Sequence, residues 1–337
     1  MSNQKILSTM FLGAVIALLS NSANAASVYT NNASVLNINM VSTQMMSFAH
    51  NSDNLSDFFN KMNEYGTMNR LNEYGGEGFG DPDYYVGHQP KGELFQNIWA
   101  GAKHINADAH YSNNHTNHIR YDVFGFGATT KDLKLSYGNL AFGGFGAYIM
   151  GDTPEFDTRG NSMGAFVKYN YKKFDATVLV DNGSVNNKIQ NIDFNNSWFN
   201  VAMDSHIKLK IDDTFYFQPG VYAGYTWISS DNLYIAGQAV TSKNAMFFNV
   251  APSARFVKNI GDNWFGALHA KYVATFDKQN DIYVNTVKTD GISVDNYTQI
   301  GMDLEYNYKD FVFAGSVQKQ LGGFDSWIGD ITVKYLF

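Results

Sequence analysis

The chain has 337 residues, with 24 lysines and arginines against 31 aspartates and glutamates, and a formal net charge of −7. Charged residues make up 16% of the sequence, below the roughly 25% of typical soluble domains, while aromatic residues make up 15% and cysteine is absent. The acidic balance excludes a general nucleic-acid-binding protein, and the low charge disfavours a soluble secreted β-protein. Without disulfides, an exported chain must be stabilised by its core or by a membrane.

Residues 1–25 have the pattern of a secretory signal peptide. Lys5 supplies a positive charge, residues 6–19 form an apolar run, and Ala23-Asn24-Ala25 is an A-x-A cleavage motif before Ala26. The apolar run is shorter than the ~20 residues of a membrane-spanning helix, and a membrane-anchoring helix is the alternative. Cleavage would remove Lys5 and change the net charge from −7 to −8.

Residues 26–93 combine helical patterns with a glycine-rich linker. Apolar residues recur at helical spacing in two stripes, which are Ile38, Val41, Met45 and Phe48, and then Leu55, Phe58, Phe59 and Met62. From 66 to 92, repeated glycine and proline predict a flexible connector. The polar opposite faces exclude a helix that crosses lipid. Two locations stay open: the lumen of a barrel, with Phe58, Phe59 and Met62 as a plug, or the outside, in the periplasm or at the cell surface.

From residue 94 to residue 337, alternation of polar and apolar residues dominates. About twelve segments read as strands, long enough for the ~9–11 residues that cross a membrane. Short turns, such as 171–173 and 308–310, alternate with longer polar connections at 184–193, 229–243 and 278–293. The sequence therefore predicts an all-β fold, a transmembrane antiparallel β-barrel of about twelve strands preceded by a short helical segment.

Period-two alternation assigns one face of each strand to lipid and the other face to the lumen. In 264–276, Leu268 would face lipid and Lys271 would face inward; in 299–308, Leu304 would face lipid. Charged residues recur on the inward face across many strands. The lumen-facing set is His206, Lys208, Lys210, Asp303 and Glu305. A soluble protein could show the same alternation, but the signal sequence and the aromatic strand ends favour the barrel.

The last strand ends the chain on an aromatic residue. Val333, Tyr335 and Phe337 share an apolar face, whereas Thr332 and Lys334 lie on the other face. A terminal strand that ends in phenylalanine resembles the sorting signal by which bacterial outer-membrane proteins are recognised and inserted. The resemblance implies that Val333, Tyr335 and Phe337 form this signal, with outer-membrane lipid and the outer-membrane assembly machinery as partners.

The barrel region and the helix before it resemble the autotransporter β-domain, the C-terminal translocator of type V secretion in Gram-negative bacteria. Four stretches carry the resemblance, which are Leu94-Phe-Gln-Asn-Ile-Trp-Ala-Gly-Ala102, Phe217-Gln-Pro-Gly-Val-Tyr-Ala-Gly-Tyr-Thr-Trp227, Asn249-Val-Ala-Pro-Ser-Ala-Arg255 and Val333-Lys-Tyr-Leu-Phe337. The resemblance implies a twelve-stranded barrel in the outer membrane, with an N-terminal helix through its pore, that anchors and exports a passenger. The chain departs from the family before Leu94, where the segment after Ala26 is too short for a β-helical passenger of the usual kind.

Other functions stay open beside the translocator. A porin-like channel would use the charges in its lumen to set ion selectivity. An outer-membrane hydrolase would need a nucleophile and a base, and His110 with Ser112, or Asp204 with His206, have suitable spacing.

Histidines cluster around the first loop at positions 104, 110, 115 and 118. Histidines on neighbouring strands can converge on a metal ion, but no cysteine or tight carboxylate pattern accompanies these four. The sequence therefore predicts no metal site, no cofactor and no enzymatic activity.

Overall fold

The computed structural model describes residues 54–62, 65, 94–110, 116–152, 157–189, 192–235, 238–242, 244–261, 263–279, 282–284, 287–289, 296–322 and 324–337. The predicted signal peptide 1–25, the stripe 38–48 and the linker 66–92 lie outside these residues. One helix, α1, spans residues 54–62. No helix within the described part of the chain is both long and apolar enough to cross a membrane.

Strands make up almost all of the remaining described residues. Twelve of them are long, and these are β1 (Phe95–His110), β2 (Thr116–Thr130), β4 (Gly138–Asp152), β5 (Asp157–Tyr171), β6 (Phe174–Ile189), β7 (Ile192–Ile207), β9 (Phe215–Ser230), β12 (Ala245–Gly261), β13 (Trp264–Gln279), β16 (Tyr297–Tyr308), β17 (Phe311–Gly322) and β18 (Phe324–Leu336). The short strands are β3 (Leu133–Leu135), β8 (Leu209–Lys210), β10 (Leu233–Ile235), β11 (Gln238–Ser242), β14 (Ile282–Val284) and β15 (Val287–Thr289).

The twelve long strands form one closed antiparallel barrel. Each long strand pairs with the previous and the next one along the chain, and β18 pairs with β1 to close the sheet, for example Val333 with Ala100. Closure satisfies the backbone hydrogen-bonding groups that an open sheet would expose at its edges. The predicted transmembrane-type barrel of about twelve strands is confirmed.

The two ends of the barrel differ in their connections. At one end, two-residue turns place Lys172 (φ 53°), Asn263 (φ 68°) and Lys309 (φ 53°) in the left-handed region that tight hairpins require. This end, which also holds the start of β1 and the end of β18, is called the turn end. The opposite end, called the loop end, holds the two long connections, from β9 to β12 and from β13 to β16, together with short ones such as that from β6 to β7.

At the loop end, strands replace part of what the sequence predicts as polar loops. The segment 184–193 is almost entirely strand, because β6 and β7 stay paired as far as Ile189 and Ile192. The segments 229–243 and 278–293 contribute β10, β11, β14 and β15, which form a separate four-stranded sheet. Beyond the lipid both faces of a strand meet water, so the alternation on which the prediction depends disappears there.

Burial inside the barrel wall follows the predicted alternation. On β13, Leu268 is 59% exposed, whereas Phe265 and Val273 are buried. On β16, Leu304 is 46% exposed, whereas its neighbour Asp303 is buried. The apolar face therefore points outward and the polar face points into the lumen, as in barrels that cross a membrane.

Strand tilt is visible in the register of the pairs. A row of directly paired residues begins beside a two-residue turn at the turn end and, after ten successive cross-strand pairs, reaches the loop end. Its members are Trp264, Tyr306, Phe313, Val333, Ala100, Phe126, Gly146, Met163, Asn182, Phe199 and Trp227. A row perpendicular to the strands can climb in this way only if the strands are inclined to the barrel axis.

Replacing Leu268 by arginine should destabilise the membrane-inserted barrel by about 2–4 kcal/mol, because an outward position near the middle of the lipid band would carry a charge. Urea unfolding in lipid vesicles measures the change. Lys271→Arg is the matched control, since this residue faces the lumen on the same strand. An equal loss in both variants would contradict the assignment of the two faces.

Candidate functional site

Helix α1 lies in the barrel lumen. Its apolar side chains Leu55, Phe58, Phe59 and Met62 are at most 2% exposed. A nine-residue helix is marginal in water, so packing against the inner wall is what stabilises it. Tyr65, which follows the helix, is also fully buried, and its N–H donates to the Lys61 carbonyl at 2.9 Å.

Aromatic contacts fix one side of α1. Phe59 stacks on Phe145 of β4 with ring centroids 3.8 Å apart, and it lies 6.0 Å from Trp99 of β1. Phe58 lies against Gly125 of β2, where an added Cβ would come within 2.7 Å of the ring. Glycine is therefore required at residue 125 for the helix to approach the wall this closely.

The sequence leaves the inner-wall partners of the helix open. Tyr216 and Tyr222 face inward and are candidates for contact with Phe58, Phe59 and Met62. In the structure Tyr222 lies beside the lumen charges, with the Lys271 ammonium group 5.6 Å from its ring centroid. Alternation identifies inward residues, but only the closed barrel determines which wall the helix faces.

Ion pairs fix the other side of α1. Asp57 accepts from Lys271 of β13 at 3.0 Å, and its other carboxylate oxygen lies 4.0 Å from Lys103 of β1. Lys61, one turn later on the same face, donates to Asp303 of β16 at 3.1 Å. The helix therefore presents one anion and one cation, each opposite a complementary charge on the wall.

Asp303 is the centre of the lumen charge cluster. Besides Lys61, it pairs with Arg255 of β12 at 3.0 Å and with His269 of β13 at 3.3 Å. Its side chain is only 1% exposed. A carboxylate so deeply buried must be compensated by nearby positive groups, and Lys61 of the helix and Arg255 of the wall supply that compensation.

Polar groups of the wall also contact both ends of α1. Lys334 of β18 donates to the Met62 and Tyr65 carbonyls at 3.3 and 2.8 Å, where the negative end of the helix dipole favours a cation. Lys103 donates to the Asn54 carbonyl at 2.6 Å, and Gln320 donates to the Asn54 side chain at 3.0 Å. Two ends and two sides of the helix are thus held by the barrel.

The other inward residues singled out from the sequence lie apart from the helix contacts. His206 and Lys208 both pair with Asp175 of β6. Lys210 lies at the turn end, where it pairs with the exposed Asp213 at 2.7 Å. Glu305 is fully buried and accepts from Asn307 at 2.9 Å.

A polar cavity remains beside the helix. It occupies about 660 Å³, part of which is open to solvent, and Asp57, Lys61, Asp204, His206, Arg255 and Lys271 lie on its surface. With Asp303, which also lines it, the cavity has three aspartates and the three cations Lys61, Arg255 and Lys271. The lumen is therefore filled by the helix on one side and contains a charged cleft on the other.

Among the described residues considered for catalysis and metal binding, some lie on the outer wall and others in the lumen. His104 and His118 lie on the outer wall, where they pair with Asp122 and Asp108 on the facing strand. Asp204 and His206 line the cavity, with His206 directed to Asp175. Ser112 and His115 lie outside the described residues, as does the His110 side chain. Within the described part of the chain, no three acidic, histidine or cysteine side chains are grouped to hold a metal.

The terminal strand lies at the closing seam of the barrel. Val333 is 44% exposed on the outer wall, and the Tyr335 and Phe337 rings meet edge to face at 5.1 Å. The Phe337 N–H donates to the Gln96 carbonyl at 3.1 Å, so the last residue still pairs with the beginning of β1. The three residues of the predicted sorting signal are therefore on the outside of the turn end.

No known family profile matches the sequence, and no curated protein matches it. Solved structures do match the fold. The transport unit of the autotransporter AIDA-I from Escherichia coli has 12% identity and a TM-score of 0.61, with 81% of this chain and 99% of that chain covered. The translocator domain of NalP from Neisseria meningitidis has 10% identity and a TM-score of 0.63, with 87% and 98% covered.

The β-domain of the Bordetella autotransporter BrkA matches with 13% identity and a TM-score of 0.56, and 72% of this chain and 100% of that chain are covered. At such identities the likeness concerns the fold alone. These three solved structures are autotransporter transport or translocator units. The chain therefore has the fold of an outer-membrane autotransporter translocator domain, as its strand motifs predict.

Proposed function

We propose that this protein is an outer-membrane translocator of the autotransporter type that anchors or exports its own N-terminal segment. Residues 1–25 would direct export and then be removed, 26–93 would form the helical segment and linker, and 94–337 would form the barrel. The turn end would face the periplasm and the loop end the cell surface, following the usual asymmetry of such barrels.

The observation that carries this proposal is the direction of α1 in the lumen. Its last residues contact Lys334, close to the turn end of β18, and its first residue contacts Gln320, close to the loop end of β17. The first residue of α1 is therefore on the loop-end side, and the chain that precedes it would enter the lumen from there. A segment that precedes the helix would reach the cell surface, which is what a translocator delivers.

The role of the protein is proposed to be non-enzymatic. Of the histidines considered as catalytic or metal-binding groups, His104 and His118 lie on the outer wall and His206 lies in the lumen, and the deeply buried charges neutralise one another. Helix α1, and Phe58, Phe59 and Met62 in particular, would act as a plug. The lumen charges His206, Lys208, Lys210, Asp303 and Glu305 would stabilise the hydrated interior instead of binding a substrate.

An epitope tag tests the proposed function directly. Inserted after residue 30 and expressed in Gram-negative cells, it should be cleaved by protease added to intact cells. A second tag inserted in the two-residue turn at 172–173 should become accessible only after the outer membrane is permeabilised. Protection of the first tag in intact cells, with normal barrel insertion, would refute surface delivery.

Replacing Phe337 by serine should reduce insertion into the outer membrane severalfold, because the assembly machinery would lose the aromatic end of the proposed signal formed by Val333, Tyr335 and Phe337. The amount of heat-modifiable protein in outer-membrane fractions measures the effect. Phe311→Ser, which removes a ring at the same end of the neighbouring strand, is the control. Normal surface levels of Phe337→Ser would contradict the sorting role.

A further inference from the structure

The outer wall of the barrel is unequally apolar on its two sides. On β13, seven outward positions from Trp264 to Phe276 are apolar or glycine, and the same holds for β9 from Phe215 to Trp227. On β1, only Ile98, Ala100 and Ala102 lie between the polar residues Gln96 and His104. The two sides therefore present apolar bands of different height to the lipid.

The register gives the heights on a common scale measured from Trp264. Height here means distance along the barrel axis toward the loop end. For strands ≈4.8 Å apart and tilted by ≈40°, moving to the paired residue on the next strand of the row adds about 3 Å of height, and moving one residue along a strand toward the loop end adds about 2.5 Å. Trp227, ten steps along the row, and Phe276, twelve residues along β13, both lie at about 30 Å. Two independent paths thus place the top of this apolar wall at the same level.

The seam side reaches polar residues much lower. Ala100 is four steps above Trp264, and His104 is four residues further along β1, which places His104 at about 22 Å. Asn106 lies two residues above His104 on β1 and pairs with Trp327 of β18, which pairs with Lys319 of β17. Two steps back across the sheet from Asn106 place Lys319 at about 21 Å. The lowest charged groups of the seam side lie about 8 Å below the apolar top of the opposite side.

The polar residues of this side form an outward surface, called the seam wall, made of Lys319, Asn106, His104 and Arg120 together with Asp325 and Asp122. His104 lies 2.7 Å from Asp122, with both side chains about half exposed, and Lys319 pairs with Asp325 and lies 5.1 Å from the Trp327 ring. Tryptophan with a neighbouring cation is typical of the membrane interface, not of its hydrocarbon centre. The seam wall presents both cationic and anionic side chains, which can pair with the two opposite charges of a zwitterionic headgroup.

We infer that the seam wall binds lipid headgroups of the loop-end leaflet and draws them toward the membrane centre, so that the bilayer is thinner beside β17, β18, β1 and β2 than beside β9, β12 and β13. At the turn end the two sides are level, because Tyr335 and Trp264 both belong to the aromatic border there. A tilted barrel would displace both ends, whereas a thinned leaflet displaces only the loop end.

Because the chain lacks cysteine, single spin labels can test this inference in the full chain, refolded into C18 monounsaturated phosphatidylcholine vesicles. Ala102→Cys and Ala270→Cys are a matched pair: both replace outward alanines at about 15–17 Å above Trp264, one on each side. The ratio of collisions with a polar nickel reagent to collisions with oxygen reports how deeply a label lies in the bilayer, and this ratio should be severalfold higher for the label at 102 than for the label at 270. Equal ratios, and therefore equal depths, would overturn the inference.

A second set of variants separates the seam wall from other causes. With His104→Leu, Asp122→Leu and Lys319→Leu combined, the label at 102 should move to the depth of the label at 270. Labels at Ile98 and Leu268, nearer the turn end at about 7 and 10 Å above Trp264, should keep this small difference in depth in the unmodified wall; a larger difference would mean barrel tilt and would overturn the inference. Spin–spin broadening at 102 would mean that a second copy covers the wall, and would overturn it as well.

Discussion

Deleting residues 27–65 should raise the ion conductance of the barrel by about tenfold or more, because a twelve-stranded barrel is wide enough for water once its lumen is emptied. In the intact chain, α1 fills one side of the lumen, with Phe59 stacked on Phe145 and Lys61 paired to Asp303. Insertion should persist, since the outer face and the terminal strand are unchanged.

Planar-bilayer recordings of the purified barrel measure this conductance, with heat-modifiable gel migration as the check on folding. Deletion of residues 27–50 is the matched control, because it shortens the chain but leaves the helix 54–62 in place. We expect the control to conduct like the intact chain. Equal conductance in all three proteins would mean that the charged cleft beside the helix already carries the ions, which favours a porin-like channel.

Much of this fold is readable in the sequence because a membrane barrel is a repetitive physical object. Lipid on one side and water on the other impose period-two alternation, which identifies Leu268 as outward and Asp303 as inward without any structure. The helix is equally visible, since Leu55, Phe58, Phe59 and Met62 recur at helical spacing and form the apolar face of α1.

The arrangement inside the lumen is not readable in the same way. Asp57 pairs with Lys271 and Lys61 pairs with Asp303, across more than two hundred residues of sequence. These pairs depend on the rotation and depth of the helix, which are set by close approach to glycine at residue 125 and by ring stacking on Phe145. Alternation determines the face of each residue but not which inward residues meet across the lumen.

Exchanging Asp303 for asparagine should destabilise the filled barrel by about 3–5 kcal/mol, because Lys61 and Arg255 would keep buried charges without their shared carboxylate. Urea unfolding in vesicles measures the loss. Helix α1 should also leave the lumen more often, so the variant should show brief conductance openings that the unmodified protein lacks.

A double-mutant cycle with Lys61→Met determines whether the pair itself fixes the helix. The single variant Lys61→Met leaves Asp303 with Arg255 and His269. The double variant, which lacks both Lys61 and the Asp303 carboxylate, has less uncompensated buried charge than Asp303→Asn alone. The two losses should therefore be non-additive by about 1–3 kcal/mol. Lys208→Met, which removes one of the two partners of Asp175, is the control and should add to Asp303→Asn within about 0.5 kcal/mol. If Lys61→Met behaves like this control, the helix is held by its aromatic contacts, and the charge cluster stabilises only the wall.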